Sequence, residues 1–148
     1  MSIRENIVQD LKHALEMMSE GAGYHYDWSE VYLYPPGEVH GWPSLWVSDG
    51  LETMEDLAYP LVHRNLEVEI QAVHAVVTSP TDGPDTAARR MIEDIERCVM
   101  ADPQRGNNAV DTRLVRAEPP IIGDDSVHVL VVIEVRYRTH RQDPTKTT

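Results

Sequence analysis

The stretch from Val127 to Arg138, VHVLVVIEVRYR, decides the fold of this chain. Val127, Val129, Val131, Ile133, Val135 and Tyr137 recur at every second position, with His128, Glu134, Arg136 and Arg138 among the residues between them. Successive side chains of a strand point to opposite faces, so the alternation predicts a long strand with one buried face. Leu130 and Val132 make the other face apolar at its middle as well. The strand is therefore expected to be central, with a local cover on its second face from a helix or another subunit.

Working outward, Leu66 to Val77, LEVEIQAVHAVV, alternates Leu66, Val68, Ile70 and Ala72 with Glu67, Glu69 and Gln71, which predicts a second long strand. The cluster SPTDGPD stops it. Pro84 suits the first position of a helix, where its missing N–H would have no intrahelical partner. Ala87, Ala88, Met91, Ile92, Ile95 and Val99 then form the apolar face of a helix from about Pro84 to Ala101, ended by Asp102, Pro103 and Gly106. Val110 to Arg116 is a shorter strand and EPPIIGDD a turn. At the start of the chain Ser2 and Glu5 have capping-box spacing. Ile3, Ile7, Leu11, Ala14, Leu15 and Met18 follow as one apolar stripe, with Gly21 and Gly23 terminating the helix.

From Tyr24 to Pro60 the chain is aromatic and broken by proline and glycine, and it holds all three tryptophans. Short strands are expected at Val31 to Tyr34 and Ser44 to Ser48, a turn at Asp49 and Gly50, and a mobile loop or arm over LETMEDLAYP. These elements define an α+β domain, one mainly antiparallel or mixed sheet with two helices packed on one face. The 148 residues fit a single domain, with residues 139–148 as a flexible or extended tail.

Composition narrows the function classes. A formal charge of −12 argues against capture of nucleic acid by the whole surface, because phosphate binding needs clustered Lys and Arg. No apolar run is long enough to span a bilayer, and the amphipathic amino terminus lacks the apolar core of a secretory signal, so the chain is expected in the cytoplasm where it is made. Cys98, the single cysteine, falls in helical phase with Met91 and Ile95 and is expected in or near the core. The seven histidines form no HExxH and no helical i, i+4 pair, although His74 and His128 could meet across adjacent strands. Neither GxSxG nor a cysteine-protease signature is present. Glu93, Asp94 and Glu96 are simplest as the solvated face of their helix, and Glu67 and Glu69 as a solvent face or subunit contact. No catalytic residue, metal ligand or cofactor site is assigned.

Trp42, Trp46, Leu51, Met54 and Leu57 can be core residues, or anchors for a partner, since loops carry binding functions and Trp and Tyr make good contact residues. Arg136 and Arg138, at the end of the terminal strand, join them as candidate interface residues.

The order of elements, the strand LEVEIQAVHAVV, the helix AARRMIEDIERCVMADP and the ending VVIEVRYRTHRQDPT, with YRTHRQDPT from Tyr137 to Thr145 the most distinctive part, together resemble the tail terminator (tail completion) proteins of long-tailed bacteriophages. The resemblance covers nearly the whole chain and implies a structural virion protein with no cofactor. Such a subunit forms a homo-oligomeric ring, a hexamer, at the head-proximal end of the tail. It caps the tail tube, ends its polymerisation and meets a head–tail connector protein, while double-stranded DNA passes through without specific binding. Rings use heterologous contacts, one patch meeting a different patch on the next copy. The alternatives are another neck or head–tail connector component, and a small cytoplasmic metal-dependent enzyme.

Overall fold

The structure, a computed structural model, describes residues 2–76 and 82–146. Helix α1 spans Ile3–Glu16 and starts at Ser2, whose hydroxyl accepts the backbone N–H of Glu5 at 3.1 Å. The strands are β1 (Glu30–Tyr32), β2 (Ser44–Asp56), β3 (Leu61–Ala75), β4 (Asp111–Ala117), β5 (Ile121–Ile122) and β6 (Ser126–His140), and helix α2 (Pro84–Met100) lies between β3 and β4. They form one six-stranded sheet in the order β1-β2-β3-β6-β4, with β5 also pairing with β6. All pairs are antiparallel except β1 with β2. The sheet is thus mixed, and the α+β expectation holds.

The two period-two stretches are the centre of the sheet. Leu66, Val68, Ile70 and Ala72 of β3 stand opposite Val135, Ile133, Val131 and Val129 of β6, so the two apolar sets share one face. Both helices bury their stripes on that face: Ile7 and Leu11 of α1 and Met91 and Ile95 of α2 join Val129, Val131 and Ile133 in a single core. Burying a side chain of this size stabilises by about 1.5 to 3 kcal/mol, so the paired stripes are what holds the helices to the sheet. Cys98 is in that core, its thiol directed to the carbonyl of Ala14 at 3.3 Å and its pKa pushed up by burial. On the opposite face Val73 and Val132 are buried, among β3 and β6 residues that are half-buried or exposed.

Several boundaries differ from the sequence expectation. The Asp49–Gly50 turn and the following loop are instead one strand: β2 passes through a bulge between Asp49 and Glu52 and continues to Asp56. A Cβ on Gly50 would lie 3.0 Å from the carbonyl oxygen of Glu67, so glycine serves a close backbone approach there rather than a reversal. The reversal comes later, where Leu57 N–H bonds the carbonyl of Leu61 and a cis Tyr59–Pro60 bond turns the chain. Strand β3 accordingly begins at Leu61, while Val77 lies outside the described residues. Strand β1 ends at Tyr32 rather than Tyr34. Helix α1 ends at Glu16, capped by Met17, and Gly23, with φ of 93°, closes a separate 3-10 turn over Glu20–Ala22. Ile121 and Ile122 pair with His128 and Val127, so EPPIIGDD contains a short strand. Thr139 and His140 belong to β6, and the tail after them is tied back by Arg141 N–H to Pro60 O (2.6 Å) and His140 N–H to Lys146 O (2.7 Å).

Two polar residues are built into the interior. Asp94 is not on the solvated face of α2 but 2% exposed, and its carboxylate accepts from the backbone N–H groups of His25 (2.8 Å) and Tyr26 (3.2 Å) and from the indole of Trp28 (3.0 Å). Arg105 is fully buried after α2, where its guanidinium donates to the carbonyl of Val99, which the helix end leaves without an intrahelical partner, and to that of Asp102 in the following turn. The turn Arg105–Gly106–Asn107 takes positive φ at each residue (48°, 63° and 68°), which aims that side chain inward.

Candidate functional site

The hydrophobic core ends at Leu66, Val135 and Tyr137. Beyond it β2, β3 and β6 continue together as a three-stranded arm, and β2 changes along its length from buried at Ser44–Val47 to exposed at Leu51 and Thr53–Asp56. Leu51 is 67% exposed, Met54 61% and Tyr59 68%, three large apolar side chains on one hairpin. Singly exposed apolar residues are ordinary, and three on one hairpin make it a candidate surface.

The structure brings only part of the expected set together. Leu51, Met54 and the half-buried Leu57 lie along β2 and its turn, and Arg136 and Arg138 lie two strands away on β6. Trp42 is exposed ahead of β2, at a cis bond to Pro43. Trp46 is set apart from them, 9% exposed at the other end of β2 opposite Gln71.

Charge is distributed unevenly over the arm. On the helix side, Glu52 accepts from the Tyr137 hydroxyl and pairs with Arg64 (3.2 Å) and Arg4 of α1 (3.4 Å), while Arg4 also pairs with Asp49 (2.8 Å). Arg64 Nε donates to Thr139 Oγ1 at 2.8 Å, so the network ties all three strands and the first turn of α1 together. Burial, and then the hydrogen bond to Glu52, hold the Tyr137 hydroxyl well above its ordinary pKa, so it is a donor throughout the physiological range. Sequence reading missed this network, although Arg64 stands two residues before Leu66, in phase with the inward face of β3.

On the helix-free side, Arg136 donates to Asn65 Oδ1 at 2.9 Å and Arg138 to His63 Nε2 at 2.9 Å. Desolvation, with Arg138 and Arg136 adding to it, pushes His63 below its ordinary pKa and leaves its ring nitrogen free to accept. Glu55 stands directly opposite His63 on β2, on the same face.

The expected approach of His74 to His128 does not occur. His74 is opposite Val127 and His128 opposite Val73, which puts the two rings on different faces. His74 stacks edge-on to Tyr26 at 5.0 Å, while His128 faces Ser126. Among the described residues there is no group of three or more His, Cys, Asp or Glu side chains placed to hold a metal ion. No helix of the described residues is long and apolar enough to cross a membrane. Among the described residues the arrangement presents open strand edges, exposed apolar side chains and separated charge. The chain matches no family model and no curated protein.

Proposed function

We propose that this chain is a structural subunit of a phage neck, a tail terminator whose copies form a hexameric ring that caps the tail tube, ends its polymerisation and presents the surface to which the head connector binds. The observation that carries the reading is the arm. A three-stranded extension with exposed Leu51, Met54 and Tyr59 is costly to leave in water unless a partner covers it. An assembly subunit has such a partner in the next copy and in the tube. The formal charge of −12 suits a passage that lets DNA slide without retaining its phosphates. The sequence resemblance supplies the ring size and the position in the virion.

Particle mass tests it most directly. The purified chain, alone and after mixing with tail tubes, should give six-copy rings in native mass spectrometry and in negative-stain images, and capped tubes should stop growing. A chain that stays monomeric in both conditions and leaves tube growth unchanged would overturn the proposal.

A further inference from the structure

The ring reading leaves open which surfaces meet, and the strand ladder supplies an answer that rests on that reading. Strand β1 covers the edge of β2 only at Ser44–Trp46. Among the described residues nothing pairs with that edge from Val47 onward. At the other side of the sheet β4 is the last strand, and its far edge is likewise unpaired among the described residues. Open edges present rows of N–H and C=O groups that template pairing with another chain.

The two edges match in height, direction and charge. Following the register across the sheet, Asp111 of β4 lies level with Arg136, Asn65 and Thr53, and Ala117 lies level with Val131, Ile70 and Val47. Thus β4 occupies the same height as the part of β2 that β1 leaves free. Strand β4 runs antiparallel to β6, β6 to β3 and β3 to β2, so β4 and β2 run in opposite directions. A second copy brought alongside by rotation, without sliding along the strands, therefore sets its β2 antiparallel to β4. Rotation without rise closes a ring, whereas rise makes a filament.

Charge favours the same partner. Strand β2 carries Asp49, Glu52, Glu55 and Asp56 and no Lys or Arg. Five of the chain's 13 basic side chains, those of Arg113, Arg116, Arg136, Arg138 and Arg141, lie on β4, on β6 and just after β6. Most of these charges have partners within the chain: Asp49 and Glu52 with Arg4, Asp56 with Arg141, Arg113 with Glu134 and Arg116 with Glu118. Arg138 instead hydrogen-bonds the neutral ring of His63. Through His63 it is level with Glu55, on the same helix-free face. Strand β4 begins at Asp111, opposite Arg136, so it does not separate Arg138 from an incoming β2. A symmetric pairing of β2 with β2 would instead set the acidic edge against itself.

We infer that copies of this chain join edge to edge, the free edge of β2 from Val47 to Thr53 adding antiparallel to β4 of the next copy, with Glu55 reaching Arg138 across the seam. The full-length chain carrying Thr53→Cys and Asp111→Cys tests it, because those residues become cross-strand neighbours within disulfide reach. Under mild oxidant the double variant should give a ladder of covalent multiples on a non-reducing gel, and a mixture of the two single variants should stop at dimers. Glu55→Arg or Arg138→Glu alone should reduce the assembled fraction at least about tenfold, as expected for a like-charge contact of a few kcal/mol, and the two together should restore it. Rings by mass with no ladder and no effect of the charge variants would overturn the edge pairing and leave the ring reading standing. Dimers from Thr53→Cys alone would replace it with a symmetric contact, and a chain monomeric in every condition would overturn both.

Discussion

The carboxylate of Asp94, on the inner face of α2, accepts the indole N–H of Trp28 at 3.0 Å, and the same group holds the backbone N–H groups of His25 and Tyr26. One buried acid thereby fastens the aromatic segment after α1 onto the second helix. Asp94→Ala would orphan three donors, each costing about 1 to 3 kcal/mol if buried without a partner. Its loss of stability in urea titration is expected to exceed the ~1 kcal/mol of an average substitution. Asp94→Asn keeps one acceptor oxygen and should fall between wild type and alanine. Equal midpoints for all three proteins would show that Asp94 does not anchor this segment.

Ile133 stands at the centre of β6, opposite Val68 and Leu114, and is fully buried. Truncation there removes core contacts and leaves a cavity, so Ile133→Ala should cost about 2 to 5 kcal/mol. That is a large share of the ~5 to 15 kcal/mol that holds a domain folded. A melting temperature unchanged from wild type would contradict the placement of β6 in the core.

The strands β3 and β6 were legible because Leu66 to Ala72 and Val127 to Tyr137 keep strict alternation with one face dry. Of strand β2 only Ser44–Ser48 was, because farther along Glu52, on the inward face, is a charged partner of Arg4, Arg64 and Tyr137 rather than an apolar residue. An ion pair at an inward position breaks the hydropathy pattern while preserving the geometry. Asp94 was hidden by the ordinary expectation that acids on a helix face water. Its spacing from Met91 and Cys98, three before and four after, nevertheless puts it in phase with the apolar stripe. For the candidate site, composition marked the exposed hairpin, but the two edges and their common height depend on register, which no local pattern encodes.

Stability should fall on the acid side of neutrality, and His74 should be part of the reason. Burial lowers its pKa from the ordinary value of about 6.5, and its Nδ1 accepts the N–H of Ala75 at 3.0 Å, which requires the neutral ring. His63 is shifted the same way. The unfolded chain thus binds more protons than the folded one between the lowered values and about 6.5, so stability rises with pH across that window. The contribution is complete above about pH 7.5, starts to fall near the unfolded value of about 6.5, and is lost as the pH falls through the lowered folded value. Melting temperatures measured from about pH 7.5 down to 5.5 should decline less steeply in His74→Gln than in wild type. Parallel curves would remove His74 from the acid response.

Met54 tests the arm itself. It is 61% exposed on a strand whose neighbours toward the tip are also exposed, so a lysine there meets water in the isolated chain and folding should change by no more than about 0.5 kcal/mol, as for other surface substitutions. In an assembled particle the same ammonium group would be pressed into a partner surface and stripped of water. Burying an unpaired charge is costly, and the apolar area of the methionine is lost as well. Met54→Lys should therefore keep its melting temperature while losing ring formation in native mass spectrometry, and in an infected cell it should leave heads and tails unjoined or tails of uncontrolled length beside soluble mutant protein. Arg89→Ala, exposed on α2 and outside both β2 and β4, serves as the exposed control and should assemble nearly as well as wild type. Normal rings and normal virion yield with Met54→Lys would take the hairpin out of the interface and reduce it to a solvent-facing arm.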